Sequence, residues 1–163
     1  MIVYHGSTEI IKSPDVVHSK KYLDFGRGFY ITTFENQAKK WAVRKGMRQE
    51  KAAIVNVYEL SEEWDDFKVL SFEKENEKWL DFVCACRKGQ PLNKEYDIII
   101  GNVADDDVFK TVDMYFRGLW NKEKVLGELR YYKMNNQICI VNQETLNRLI
   151  TFKRAYEVEN NGR

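Results

Sequence analysis

Ile2 to Tyr4 is a short apolar run that ends at Gly6, which predicts a strand; Gly28 to Thr32, aromatic and β-branched, predicts a second. Between them Ser13 to Phe25 carries Pro14, Asp15 and Asp24 without periodicity and reads as a long loop. Thr32 and Glu35 have capping-box spacing, and Phe34, Ala38, Trp41, Ala42 and Lys45 then fall on one helical face, with Gly46 placed to stop the helix. Ala52 to Leu60 alternates as a strand does, and Phe67 to Phe72 predicts another. Glu73 to Arg87 has Trp79, Phe82, Val83 and Cys86 at helix spacing, and Tyr96 to Ile100 is an apolar strand ending at Gly101.

Asp105, Asp106 and Asp107 can charge the start of the next helix, whose apolar members are Val108, Phe109, Val112, Tyr115, Phe116 and Leu119. A helix over Lys122 to Tyr131, a strand over Gln137 to Val141, a helix over Gln143 to Leu149 and a last strand near Phe152 to Val158 complete the pattern. The fold class is α+β, with helices inserted between strands of a mostly antiparallel sheet.

The 163 residues suit a single domain over 1–163, with its core over roughly residues 2–155. A net charge of +1 argues against nucleic-acid or membrane binding driven by bulk electrostatics. Aromatic residues, at 13%, favour a well-filled core and supply rings for a planar ligand. Cys84, Cys86 and Cys139 have neither zinc spacing nor a secretory context and read as free thiols of a cytoplasmic protein. No signal-peptide pattern opens the chain and no apolar run approaches a membrane span, so a soluble protein without membrane partners is expected.

Three segments carry candidate chemistry: Tyr4-His5-Gly6-Ser7-Thr8, then Asp24-Phe25-Gly26-Arg27-Gly28-Phe29-Tyr30 with the helix bearing Trp41, and finally Asn135-Asn136-Gln137-Ile138. Singly each is weak. A histidine at a strand end is usually structural, a tryptophan on an amphipathic helix is as often core as ligand platform, and Gly26 and Gly28 could simply make a turn. Their joint order is more specific.

That order resembles the diphtheria-toxin and poly(ADP-ribose) polymerase branch of ADP-ribosyltransferases, the His-Tyr-Glu type. There a His-Gly-Ser/Thr strand precedes a Gly-x-Gly-x-Tyr strand, a helix brings a second aromatic eleven positions after the tyrosine, as Trp41 follows Tyr30, and a late strand brings a glutamate. More closely, the chain resembles a bacterial family catalogued as domain of unknown function 3990, which shares the Tyr-His-Gly-Ser and Asp-Phe-Gly-x-Gly-Phe-Tyr segments. The resemblance implies an ADP-ribosyltransferase-like split antiparallel sheet and NAD as substrate. It makes His5, Tyr30 and Gln137 the candidate catalytic residues, and His5, Gly6, Ser7, Arg27, Gly28, Tyr30 and Trp41 the candidate NAD-binding residues. Tyr30 and Trp41 would clamp the nicotinamide, Gly6 would give its backbone to the carboxamide, and His5 would position a ribose.

The implied activity is mono-ADP-ribosylation by a toxin-like effector, with a macromolecular acceptor (protein or nucleic acid) and a small antitoxin protein as partners. Gln137 departs from the pattern, because it can accept a hydrogen bond but carries no charge for an oxocarbenium-like transition state. Glu128, Asp106 or Asp107 could substitute, and Gln137→Glu is expected to keep binding and to keep or raise cleavage. Alternatives are a non-catalytic module that binds NAD or ADP-ribose, an NAD glycohydrolase and, more weakly, an RNA 2′-phosphotransferase. Lys39, Lys40, Arg44, Lys45, Arg48 and Lys51 read first as a solvated helix face and second as a landing site for an acidic acceptor. The Asp105 to Asp107 run reads as a helix start well before a metal site, and no metal is expected.

Overall fold

A computed structural model describes residues 1–20, 22–103, 106–129 and 135–159, with the side chains of Asp106, Asp107 and Phe109 outside that description. Its strands are β1 (Ile2–Ser7), β2 (Phe29–Ile31), β3 (Ile54–Leu60), β4 (Val69–Ser71), β5 (Ile98–Gly101), β6 (Gln137–Ile140) and β7 (Ile150–Glu157). Its five α-helices among the described residues are α1 (Glu35–Gln49), α2 (Glu77–Arg87), α3 (Asp106–Phe116), α4 (Lys122–Leu129) and α5 (Gln143–Leu149). The protein is mixed α+β. Asp105, and the helix end expected at Tyr131, lie outside the described residues.

The strands form two sheets. One has the order β1-β3-β7 and is antiparallel throughout. The other has the order β2-β6-β5-β4, where only β4 and β5 run parallel. Among the described residues a single bridge, Tyr4 to Thr32, joins them: the Tyr4 and Thr32 backbones exchange N–H···O bonds of 2.8 and 3.0 Å. Past that bridge β1 and β2 diverge.

Helix α1 lies on the first sheet through small residues, with Ala38 and Ala42 buried against Val55 and Val57. Gly6 makes this approach possible. A Cβ there would sit 2.7 Å from the Ala42 nitrogen, 2.9 Å from the Trp41 Cβ and closer still to the Ala38 carbonyl. The capping box expected at Thr32 and Glu35 does not form: Phe34 is the N-cap residue, without a side-chain cap, and the Thr32 hydroxyl accepts from the Phe34 N–H instead. Gly46 does not stop the helix either, which continues to Gln49 and ends at Glu50 in the left-handed region (φ 53°). Gly46 is buried where the chain folds back, and Lys51 N–H bonds its carbonyl at 3.0 Å.

A second core gathers α2, α3 and α4 on the other sheet, with Trp79, Leu80, Val83, Val112, Val125 and Cys139 buried together. Phe25, from the long loop before β2, is fully buried in it. That loop is therefore an anchored segment, although it has no regular structure. No helix among the described residues is long and apolar enough to cross a membrane.

Candidate functional site

Where β1 and β2 part, a cavity of about 1150 Å³ opens between the two sheets, the 8–24 segment and the C-terminal half of α1. His5, Gly6, Ser7, Gly28, Tyr30, Trp41 and Gln137 all line it, so segments far apart in the chain meet at one site. Arg27 does not join them. Its side chain is exposed away from the cavity, and its carbonyl takes the Asn93 Nδ2–H at 3.0 Å.

The fork has a particular backbone consequence. In an antiparallel strand the N–H and C=O of alternate residues leave by the same edge. Tyr4 uses that edge to bond Thr32, so Gly6 presents its N–H and C=O there too, beyond the end of the ladder. Among the described residues neither Gly6 group has a hydrogen-bond partner, which leaves a donor and an acceptor side by side at the cavity wall. The acceptor that a longer ladder would offer Gly6, the Tyr30 carbonyl, is taken by His5 Nδ1 at 2.6 Å.

A carbonyl only accepts, so His5 Nδ1 carries the proton and Nε2 is left as an acceptor. The ring stacks on Phe29, with centroids 4.6 Å apart. Burial, and secondly the charge of Lys45, lower the His5 pKa to about 4, against the opposing effect of the Tyr30 carbonyl. His5 is a neutral imidazole at physiological pH.

Tyr30 is held by its hydroxyl, which donates to the Gly26 carbonyl at 2.5 Å and accepts from the Phe25 N–H at 3.1 Å. Burial, with Cys139 and Asp24 nearby, raises its pKa well above the ordinary value, so the phenol stays protonated. The half-buried ring packs on the helical core while still facing the cavity. Trp41, also half-buried, lies beside Gly6 and lines the same cavity. Phe29 belongs to the core, as the alternation along β2 requires, and also reaches the cavity through its contact with His5.

Gln137 begins β6, and Asn136 fixes the lead-in by joining β2 to α1. Asn136 Oδ1 accepts from the Thr32 hydroxyl (2.9 Å) and Thr33 N–H (3.1 Å), and its carbonyl accepts from Gln37 Nε2 (2.6 Å). Gln137 is buried, and its Nε2 donates to Asp24 Oδ2 (3.1 Å) and to the Asn102 carbonyl (3.3 Å). Both partners are acceptors, so the amide orientation is fixed, and Oε1 has no partner among the described residues. No buried side-chain oxygen or nitrogen among those residues lacks a partner, so Oε1 must reach open space. The cavity is that space.

Sequence reasoning missed Asp24 and Arg87. The Asp24 carboxylate is buried and lines the cavity, and its Oδ1 accepts from Arg87 Nε (3.0 Å) and Nη2 (2.6 Å). Asp24 opens the segment that runs to Tyr30, but a pairing across 63 residues leaves no local signal. Glu128, considered as a substitute carboxylate, is exposed and away from the cavity, and the side chains of Asp106 and Asp107 lie outside the described residues. Asp24 also weighs against the expectation for Gln137→Glu. A glutamate there would set one carboxylate about 3 Å from another and beside a carbonyl.

The basic run of α1 divides. Lys39 pairs with Glu35 at 3.6 Å and Lys51 with Glu9 at 3.7 Å, whereas Arg44, Lys45 and Arg48 line the cavity. Burial, then the charges of Arg48 and Lys20, lower the pKa of Lys45. Like charges gathered at a cavity favour an anionic ligand. No group of three or more metal-ligating side chains occurs among the described residues, and Cys84, Cys86 and Cys139 are buried free thiols.

A family model described as "Protein of unknown function (DUF3990)" matches residues 1–152 of the chain. No curated protein matches the chain significantly.

Proposed function

The chain belongs to the DUF3990 family, whose model spans nearly all of it, and from that premise we propose that it is an NAD⁺-dependent mono-ADP-ribosyltransferase with an ADP-ribosyltransferase-like fold. The observation that carries the reading is the fork between β1 and β2. It leaves the Gly6 N–H and C=O unpaired at the wall of a cavity that Tyr30 and Trp41 also line. A primary carboxamide on an aromatic ring needs that pair, one acceptor for its N–H and one donor for its C=O, with a ring face alongside.

The remaining features fit the rest of NAD⁺. His5 Nε2 can accept from a ribose hydroxyl, Lys45 and Arg48 suit a pyrophosphate, and Gln137 Oε1 can accept from the hydroxyl of the nicotinamide ribose. In the reaction the bond between ribose C1′ and the nicotinamide nitrogen breaks, its electron pair leaving with neutral nicotinamide. The acceptor's lone pair then forms the new bond at C1′, and the acceptor's proton passes to solvent. A toxin-like cytoplasmic role, with a macromolecular acceptor and a small antitoxin protein, rests on the family resemblance.

A second reading, an NAD⁺ or ADP-ribose binder without catalysis, is favoured by one observation: residue 137 is a neutral amide. Incubating the protein with NAD⁺ labelled in its adenylate part and a bacterial lysate separates them. Label on a macromolecule supports transfer, free ADP-ribose means hydrolysis, and binding without either product supports the binder. Absence of binding would overturn both readings.

A further inference from the structure

The Asp24 carboxylate has a distinct partner on each oxygen, Arg87 on Oδ1 and Gln137 Nε2 on Oδ2, and all three side chains line the cavity. Two further contacts hold Asp24 in place. Tyr30 ties down the adjoining Phe25 N–H and Gly26 carbonyl, and the buried Phe25 ring locks the following residue into the helical core. The carboxylate is therefore a fixed part of the site, not a solvated loop charge.

The chain Asp24 carboxylate, Gln137 amide N–H, Gln137 Oε1 is continuous. A carboxylate accepting from one end of an amide polarises it and makes the oxygen at the other end a stronger acceptor. We propose that Asp24 is the positioning residue of this site: it fixes the Gln137 amide and, through it, brings negative charge to bear on the substrate hydroxyl that Gln137 Oε1 meets. This rests on the NAD⁺ reading, in which that hydroxyl belongs to the nicotinamide ribose. No proton moves along the chain. As the C1′–N bond breaks, the positive charge growing on the ribose is stabilised by a polarised Oε1 held at its hydroxyl. The carboxylate that a glutamate on β6 would supply directly is supplied from the loop before β2, and glutamine is the residue that can connect the two.

The test is a charge swap, read in two ways. The first reading is thermal stability without ligand. Gln137→Glu should lower the melting temperature, because it sets a second carboxylate about 3 Å from that of Asp24. Adding Asp24→Asn should restore most of the loss, because the amide nitrogen of the introduced asparagine can donate to the new carboxylate. An equal loss from Gln137→Glu in the wild-type and the Asp24→Asn backgrounds would overturn the coupling. The second reading is NAD⁺ cleavage. Asp24→Asn should lower turnover about tenfold or more while NAD⁺ affinity stays within about twofold, and the swap Asp24→Asn with Gln137→Glu should recover it.

Asp24→Asn removes the charge opposite half-buried Arg87, so the swap, which keeps one carboxylate in the trio, is the variant expected to fold. Wild-type turnover by folded Asp24→Asn, or a swap no better than that single variant, would overturn the proposal. A wild type that binds no NAD⁺ but shows the stability coupling would remove the ribose role and the NAD⁺ reading together, leaving only the Asp24–Gln137 pair.

Discussion

His5 Nδ1 donates to the Tyr30 carbonyl at 2.6 Å and so fills the place that the Gly6 amide would take if β1 and β2 stayed paired. The contact also fixes the tautomer, leaving Nε2 as an acceptor. His5→Ala is therefore expected to weaken NAD⁺ binding about tenfold at every pH from 6 to 9, since one hydrogen bond to ligand and the shape of the fork are both lost. Isothermal titration across that range checks it. An inflection in affinity near pH 6.5 for the wild type would mean that the imidazole works by ionising.

The titration of His5 is a separate expectation. Of the chain's two histidines, His5 should titrate at about 4 by NMR, because burial and then Lys45 disfavour its charged form. Lys45→Met should move that value upward. The folded pKa lies below the unfolded value of about 6.5, so the unfolded chain binds more protons between the two. His5 thus costs no stability above about pH 6.5, and as the pH falls toward 4 it destabilises the fold by on the order of 2–3 kcal/mol. Denaturant unfolding of wild type and His5→Gln, compared at pH 7 and pH 4.5, should show the smaller acid loss in the variant.

Gly6 serves the fold as well as the cavity. Gly6→Ala would press a methyl group into the backbone of α1 at Ala38 and Ala42, which cannot turn aside as a side chain could. A loss of about 1–3 kcal/mol or more is expected. Gly127 in α4 is the control. Nothing lies within 4 Å of a Cβ there, so Gly127→Ala should gain up to about 1 kcal/mol of helix propensity. Thermal melting of the two variants should shift in opposite directions.

Much of this fold was legible because its elements are strongly patterned. Strand β6 and helices α2 and α5 fall where apolar spacing puts them, within a few residues at each end. The ends of α1 were misread because Thr32 spends its hydroxyl on Phe34 N–H and Asn136, and because Gly46 faces the returning chain and not solvent. Of the site, His5, Gly6, Tyr30, Trp41 and Gln137 could be picked out by motif order. The loop reading of Asp24 was correct as secondary structure and silent about chemistry. Nothing between residues 24 and 87 announces that an aspartate and the last arginine of a helix will meet beside β6. Arg27 failed for the opposite reason: it sits within the motif, but its side chain leaves the chain on the solvent side.

Trp41 offers the most direct view of the ligand. The chain has four tryptophans, and only Trp41 lines the cavity. Trp79 is fully buried in the helical core, the Trp64 indole N–H bonds the Ser61 carbonyl, and Trp120 lies under Lys124. A nicotinamide ring stacked on an indole quenches its emission, so NAD⁺ should quench a fraction of the protein fluorescence that belongs to Trp41 alone. Trp41→Phe keeps an aromatic face and should bind NAD⁺ within about tenfold of wild type, yet show none of the quenching. Trp41→Ala should weaken binding further, and because the side chain is half-buried its melting temperature should fall only modestly. Undiminished quenching in Trp41→Phe would place the ligand beside another tryptophan and break the pairing of Trp41 with Tyr30. Quenching by nicotinamide alone, lost in the same variant, would put the pyridine ring, and not the adenine, against Trp41.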